Sequence, residues 1–259
     1  MSYGMYISAA GADAQSRRLE ILSNNLANVD TPGFKRELAI PRARYSEAIE
    51  QGAASPGSRS INDVGGGVQL RETATDFASG VLQRTNIDTD FAIDGDGFFQ
   101  VLQPNGETAY TQAGAFKKDS RGRLVTTEGF ALQPDITIPQ DALSVTIGVD
   151  GTVSVTQPAS LQAQQIGTIE LVRFVNPGGL ESLGRNLFRP TQASGDPIPG
   201  TPGRDGFGTL LQGFVEMSNV NVVEEMVNLI IGQRAYEINS RAIRTADEMM
   251  QTANNLIRA

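Results

Sequence analysis

Residues 221–257 read NVVEEMVNLIIGQRAYEINSRAIRTADEMMQTANNLI, a run with no proline and one glycine, Gly232. Val223, Val227, Ile230, Arg234, Ile238, Thr245, Met249 and Leu256 recur at steps of three and four or their multiples, the spacing of one helical face. Val222, Met226, Leu229 and Tyr236 widen the apolar stripe in its first half. Asn221 is placed to cap the first turn, with Glu224 at the position of a capping-box carboxylate. At 1.5 Å per residue, a helix over 222–257 is about 54 Å long. Few compact domains need one so long, so its stripe must be buried against something.

A second helix is predicted over about residues 2–28. Ile7, Ala10, Ala14 and Ile21 fall near one face, with Leu19, Leu22 and Leu26 beside them. Ala9, Ala10, Gly11, Ala12 and Ala14 let another helix approach closely, but Gly4 and Gly11 each weaken the helix by roughly 1 kcal/mol relative to alanine. Its end is marked by Asp30, Pro32 and Gly33, since Pro32 drives Thr31 out of helical geometry. Asn24, Asn25 and Asn28 either cap or bridge chain ends here, or are simply polar residues on an exposed helix end.

Between the helices the pattern changes twice. Residues 35–88 carry little periodicity: Glu47 to Ile49 suggests a helical turn, Val68-Gln69-Leu70 a weak strand, and SPGSRS and Gly65-Gly66-Gly67 are loop chemistry. So long an irregular stretch reads as an extended arm that orders against partners, or as a flexible linker. Residues 89–214 read as β-structure. Phe98–Leu102, Thr108–Thr111, 116–118 and 124–126 form short strands separated by turns, and SVTIGVDGTVSVT is a hairpin around Asp150-Gly151. Residues 166–175 and 210–215 add strands, with PIPGTPGRDGFG as a long loop between them. Short strands at this spacing predict a barrel or a sandwich.

The expected organisation is therefore mainly β with long terminal α-helices. It comprises an N-terminal helix (1–34), an extended or partly irregular arm (35–88), a central β-domain (89–214) and a C-terminal helix (215–259). The β-domain buries its own alternating faces, so the two helices are expected to pair into a coiled-coil-like core, parallel or antiparallel. Val223, Met226, Val227, Ile230, Ile231 and Ile238 would carry the packing, with Ile7, Ala10, Ala14, Ile21, Leu22 and Leu26 opposite. Fully burying a large aliphatic side chain is worth roughly 1.5–3 kcal/mol, while ordering each backbone residue costs about 1–2 kcal/mol. Two helices, one of them alanine-rich, are marginal on those terms. Other copies of the chain are the nearest source of more helices, which points to self-assembly.

Composition narrows the chemistry. The chain has no cysteine and no histidine, so disulfides, thiolate catalysis and the commonest general base and metal ligand are absent. A net charge of −8 argues against a nucleic-acid partner. Asp88, Asp90, Asp94 and Asp96 satisfy no register of a calcium loop. Gly95-Asp96-Gly97 lacks the third glycine and following helix of a dinucleotide fingerprint. No acidic pair stands out as a glycosidase dyad, and there is no tryptophan to line a sugar groove. No catalytic, cofactor or metal site is expected. Neither a cleavable signal peptide nor a membrane span is visible, so a soluble, non-inserted protein is expected.

Three stretches together resemble one family. SNNLANVDTPGFKR at 23–36 is similar to the N-terminal signature of bacterial flagellar rod and hook proteins, carried by Asn24, Asn25, Leu26, Asn28, Thr31, Pro32, Gly33 and Phe34. DFAIDGDGFFQV with AYTQAGAFKKDSRGRLVTTEG resembles the family's core, and 215–251 its C-terminal helix motif. The runs ITIPQDALSVTIGVDGTVSVTQ and GLESLGRNLF are most similar to the distal rod member, with the proximal rod member next. The resemblance implies a non-enzymatic subunit of a hollow helical drive shaft that crosses the periplasm and carries torque from motor to hook. Its implied partners are further copies of itself, other rod and hook subunits, and the flagellar type III export apparatus, which would pass it without signal-peptide cleavage. A proximal rod or hook-type axial subunit and a non-enzymatic binding module are the alternatives.

Overall fold

The computed structural model describes residues 3–43, 67–158 and 160–258. Its elements in chain order begin with α1 (Tyr3–Ala27), β1 (Glu37–Ala43), β2 (Val68–Thr75), β3 (Leu82–Arg84), β4 (Phe91–Asp94) and β5 (Phe98–Leu102). There follow β6 (Thr108–Thr111), β7 (Phe116–Lys118), β8 (Leu124–Thr126), β9 (Ala131–Gln133), β10 (Ser144–Ile147), β11 (Thr152–Gln157) and β12 (Ser160–Thr168). The chain closes with β13 (Leu171–Arg173), β14 (Glu181–Gly184), β15 (Leu187–Arg189), β16 (Ile198–Gly200), β17 (Thr209–Gln212), β18 (Phe214–Glu216) and α2 (Val222–Arg258). The protein is mostly β, with one helix near each end. These elements fall into two compact units, one made of Met1–Ala27, Glu37–Thr75 and Asn221–Ala259, the other of Asn28–Arg36 and Asp76–Val220.

In the first unit α2 starts where the capping chemistry places it. The Asn221 side-chain oxygen accepts the N–H groups of Val223 at 3.0 Å and Glu224 at 3.3 Å, and the Asn221 carbonyl accepts Glu225 N–H at 3.0 Å. Glu224 and Glu225 add negative charge at the positive end of the helix dipole. With 37 residues the helix runs about 55 Å. It packs against α1. Gly11 lies beside Asn239 and Gly232 beside Leu19, so rising numbers on one helix meet falling numbers on the other and the pair is antiparallel.

Within the arm predicted at 35–88, Glu37–Ala43 and Val68–Thr75 form a two-stranded antiparallel ladder, the second strand containing the weak strand expected at Val68-Gln69-Leu70 and the first one unexpected. Glu37 pairs with Thr75 and Ala43 with Val68, and α1 packs on both strands. Pro41 hides β1 from a pattern search, because proline cannot donate to a ladder. The register shifts between Ile40 and Pro41, and this irregularity accommodates the missing donor. The suggested helical turn at Glu47–Ile49 and the glycine run from Gly65 lie outside the described residues, apart from Gly67.

The second unit is the β-rich centre. Its entering and leaving chains pair with each other: β3 with β18 and β4 with β17. The largest sheet follows the path β14-β15-β6-β5-β9-β8-β7, with β13 joining β5 and β16 joining β13. Among the described residues this path has two ends and does not close, so of the expected barrel or sandwich the barrel is corrected to open sheets. The hairpin predicted around Asp150-Gly151 forms as β10–β11, with Val145 opposite Val155 and Ile147 opposite Val153, and β12 extends it. All four side chains are buried in a core with Phe91, Phe99, Phe116, Leu124, Leu132, Ile138, Ile169, Leu171 and Leu210. Phe91 stacks on Phe116 at 4.6 Å, and both meet Phe99 edge-on. A smaller cluster gathers Phe98, Tyr110, Phe174 and Phe188 around Phe77. The long loop predicted at 197–208 contains one short strand, β16, recruited by β13.

Candidate assembly surface

The two helices of the first unit present different materials to each other and to solvent. On α2, Glu225 and Gly232 are buried and Asn239 is half-buried, at seven-residue spacing along one side. Gly232 and Asn239 lie against α1. Leu229, Ala235, Ile243, Ala246 and Met250 are half-buried on the same side. Leu19 fills the space that a Gly232 side chain would need, and the Asn239 amide lies against Gly11. The two glycines make room for the Leu19 and Asn239 side chains of the facing helix.

The apolar stripe faces elsewhere. Val223, Met226, Val227, Ile230, Ile231 and Ile238 are between 51% and 71% exposed, and Val222, Tyr236 and Met249 are exposed beside them. Large apolar side chains gathered in this way on one element mark an interaction surface. On α1, Ala14 and Leu22 are buried while Ile7, Ala10, Ile21 and Leu26 are half-buried. Ile7 and Ala10 lie next to Gly67 at the start of β2. The sequence-based expectation set the α1 residues opposite the α2 stripe. In the single chain α1 lies on the side of α2 that carries Gly232 and Asn239, where Gly232 leaves room for Leu19 and Gly11 for the Asn239 amide.

Most residues of the N-terminal signature are held by hydrogen bonds or by burial. Asn24 is exposed on the last turns of α1, and Leu26 is half-buried. Asn25 is fully buried. Its amide donates to the Glu37 carbonyl at 2.8 Å and its side-chain oxygen accepts Glu37 N–H at 2.9 Å, so it bridges the end of α1 to the first residue of β1. The bridging alternative is the one that holds for Asn25. In the second unit Asn28 accepts the Thr31 N–H on its carbonyl at 3.1 Å and the Thr31 hydroxyl on its side chain at 3.2 Å. Pro32 offers its carbonyl to Asn186 at 3.1 Å. Gly33 has φ +70°, and a Cβ there would sit 2.5 Å from the Ala113 Cα, so both backbone freedom and space demand glycine. Its N–H donates to the Glu216 carbonyl at 2.8 Å, and Phe34 is buried beside it.

One ionic feature escapes the sequence-based reading. Lys35 and Glu216 form an ion pair at 2.7 Å with both side chains almost wholly buried. A lysine after a loop signature and a glutamate in a strand 181 residues later offer no local signal of pairing. The aspartates considered for metal binding have ordinary surroundings: Asp94 and Asp96 are exposed, and the Asp90 carbonyl accepts Gly213 N–H. Two other carboxylates are held below their usual pKa by turn hydrogen bonds. Asp119 accepts the backbone N–H of Arg123 and of Arg121 and bonds the Arg123 guanidinium, while Asp150 is bonded chiefly by Thr152. Burial pushes the Tyr110 phenol up. A cavity of about 190 Å³ is lined by Phe77, Phe98, Phe174, Gln112 and Arg173. Among the described residues, no helix is long and apolar enough to cross a membrane.

Comparison with known proteins accounts for this arrangement. The profile described as flagella basal body rod protein matches residues 5–35, which cover α1 and the signature. The flagellar hook protein FlgE/F/G D1 domain matches 92–155, and the flagellar basal body rod FlgEFG protein C-terminal matches 211–256. The chain belongs to this family of flagellar basal-body rod and hook proteins, a family of structural proteins. Within it, the chain is 46% identical over 260 residues to the flagellar basal-body rod protein FlgG of Buchnera aphidicola subsp. Schizaphis graminum, covering 97% of this chain and 98% of that one. It is 44% identical over 268 residues to FlgG of Borreliella burgdorferi, with 100% of both chains covered. Similarity to the flagellar basal-body rod protein FlgF of Caulobacter vibrioides is weaker, at 33% over 257 residues, 98% of this chain and 97% of that one. The resemblance to rod proteins is therefore confirmed, with the FlgG type ahead of the FlgF type.

Proposed function

We propose that this chain is a structural subunit of the distal part of the flagellar rod, polymerising into a hollow helical shaft that carries torque from motor to hook. The observation that carries this reading is the outward apolar stripe of α2, since a helix with its large side chains turned away from its own partner helix is built to be covered by another chain. The residues assigned to that contact are Val223, Met226, Val227, Ile230, Ile231 and Ile238, joined by the half-buried α1 side chains Ile7, Ala10, Ile21 and Leu26, while Ala14 and Leu22, already buried in the single chain, support α1 from within. Helices of successive copies would complete a coiled-coil-like core. A contact of this kind between different surfaces of identical subunits gives an open helical filament when its rotation does not close.

The assigned regions are 1–34 and 215–259, which carry the two helices, for assembly, with an arm at 35–88 and a β-domain at 89–214 between them in sequence. Other rod and hook subunits would cap the polymer at its ends, and the flagellar export apparatus would deliver the chain. No catalytic step is assigned. Stronger identity to FlgG than to FlgF proteins supports the distal assignment. The test is removal of residues 1–27, which leaves every residue of the second unit in place. The truncated chain is expected to retain a cooperatively folded β-rich unit and to lose polymerisation. Polymers forming at the full-length threshold would overturn the reading, and loss of only a complex with a different protein would support a binding module.

A further inference from the structure

The chain passes between its two units four times, at Ala27/Asn28, Arg36/Glu37, Thr75/Asp76 and Val220/Asn221. Just inside the second unit the last three of these passages are tied to one another. Arg36 N–H donates to the Asn219 side-chain oxygen at 2.8 Å, Asp76 N–H donates to the Arg36 carbonyl at 2.8 Å, and the Asn219 amide returns to the Asp76 carbonyl at 2.9 Å and the Ala78 carbonyl at 3.0 Å. One side chain thus closes a ring over three segments that are far apart in sequence. A second tie lies next to it. Lys35 Nζ bonds Glu216 Oε1 at 2.7 Å and the Ala78 carbonyl at 3.0 Å, and the same Glu216 oxygen accepts Gly80 N–H at 2.7 Å. Gly80 packs so closely on the Met217 carbonyl that no side chain fits between them.

A buried ion pair is a poor choice if stability alone is needed, because an apolar pair of the same volume does as well without desolvating two charges. What Lys35 and Glu216 add is direction. Each charge holds a further backbone group, so the pair joins residues 35, 78, 80 and 216 at one point, as an apolar contact cannot. We propose that Lys35, Glu216 and Asn219 form a mechanical clamp that spreads load arriving along any one of these three passages over the other two. A force drawn along α2 reaches Asn219 first. There it is shared with the segments at 36 and 76 and then with the Lys35–Glu216 tie, before β18 can peel from β3. The physiological need for such a clamp rests on the torque-bearing role proposed above, but the device itself belongs to the single chain.

The test uses the full-length monomer in optical tweezers. The chain has no cysteine, so cysteines introduced at Asp247 on α2 and Glu128 in the β8–β9 turn give two unique handles. Under constant load the parent protein is expected to release α2 and then hold at residue 219 in a long-lived state. Asn219→Ala, and separately the volume-matched double variant Lys35→Met/Glu216→Leu, are expected to shorten that lifetime at least tenfold and to release β18 with the helix. Val153→Ala, which removes a fully buried core side chain away from the clamp, is expected to lower the thermal midpoint and leave the lifetime at residue 219 unchanged. Lifetimes equal to the parent's in both clamp variants, or an equal shortening by Val153→Ala, would overturn the proposal. Because the monomer is pulled, failure here is distinct from failure to polymerise.

Discussion

Replacing Ile230 and Ile238 together by alanine tests the outward stripe most directly. Ile230 is 56% exposed and Ile238 65% exposed in the single chain, so an assembly contact has that much of each side chain still to bury. Complete burial of an isoleucine is worth roughly 1.5–3 kcal/mol, which scales to about 0.8–1.7 and about 1–2 kcal/mol for the exposed portions. Alanine keeps one of the four side-chain carbons, leaving a loss of about 1.5–3 kcal/mol per added subunit. At about 1.4 kcal/mol per factor of ten, the threshold concentration for polymerisation should rise roughly ten- to hundredfold. The monomer should be unharmed, because alanine is a better helix former than isoleucine and neither side chain is buried within the chain. The assay is sedimentation of polymer across a concentration series, with circular dichroism of the monomer as control. Unchanged thresholds with intact helicity would refute the assignment of this face to assembly.

Three other perturbations probe the signature and the turns. Asn25→Ala removes both bonds to Glu37 and leaves two backbone groups unpaired in a buried place, so a loss of about 2–3 kcal/mol is expected in chemical denaturation, with faster hydrogen exchange at the Glu37 amide. Gly33→Ala meets both a left-handed φ and the Ala113 backbone; it should disrupt the 28–36 loop outright, read as lost protection at Gly33 and Phe34, whereas Gly129→Ala, also at positive φ but with nothing near it, should cost only the dihedral strain. Asp119 has its carboxyl pKa lowered in the folded protein, so its contribution is complete above the unfolded-state value and is lost as pH falls through the lowered folded value. Amides of Arg121 and Arg123 should therefore exchange faster in acid, after correction for intrinsic rates, and Asp119→Asn should abolish that pH dependence; a pH profile unaffected by the substitution would refute it.

Much of this protein is decided locally and can be read locally. The Asn221 cap, the absence of proline across α2, the Pro32-Gly33 stop after α1 and the Asp150-Gly151 turn each act over a few residues, and each element stands where those residues put it. The family signature, too, is a string of neighbours. Other features depend on partners far along the chain, and no periodicity encodes those. Strand β1 contains a proline and is stable only because β2 supplies a ladder with an irregularity at that point. The Lys35–Glu216 pair joins segments 181 residues apart. The sheets stay open because β14 and β7 end the path without meeting each other, a matter of register among many strands.

The C-terminal helix divides most clearly between the two. Its sequence alone determined that there would be a long helix with one apolar stripe, since both follow from spacing and propensity along a single segment. Which side of it would meet α1 was a tertiary decision. Gly232 leaves room for the Leu19 side chain and Gly11 for the Asn239 amide, so α1 takes that side and the stripe stays outside.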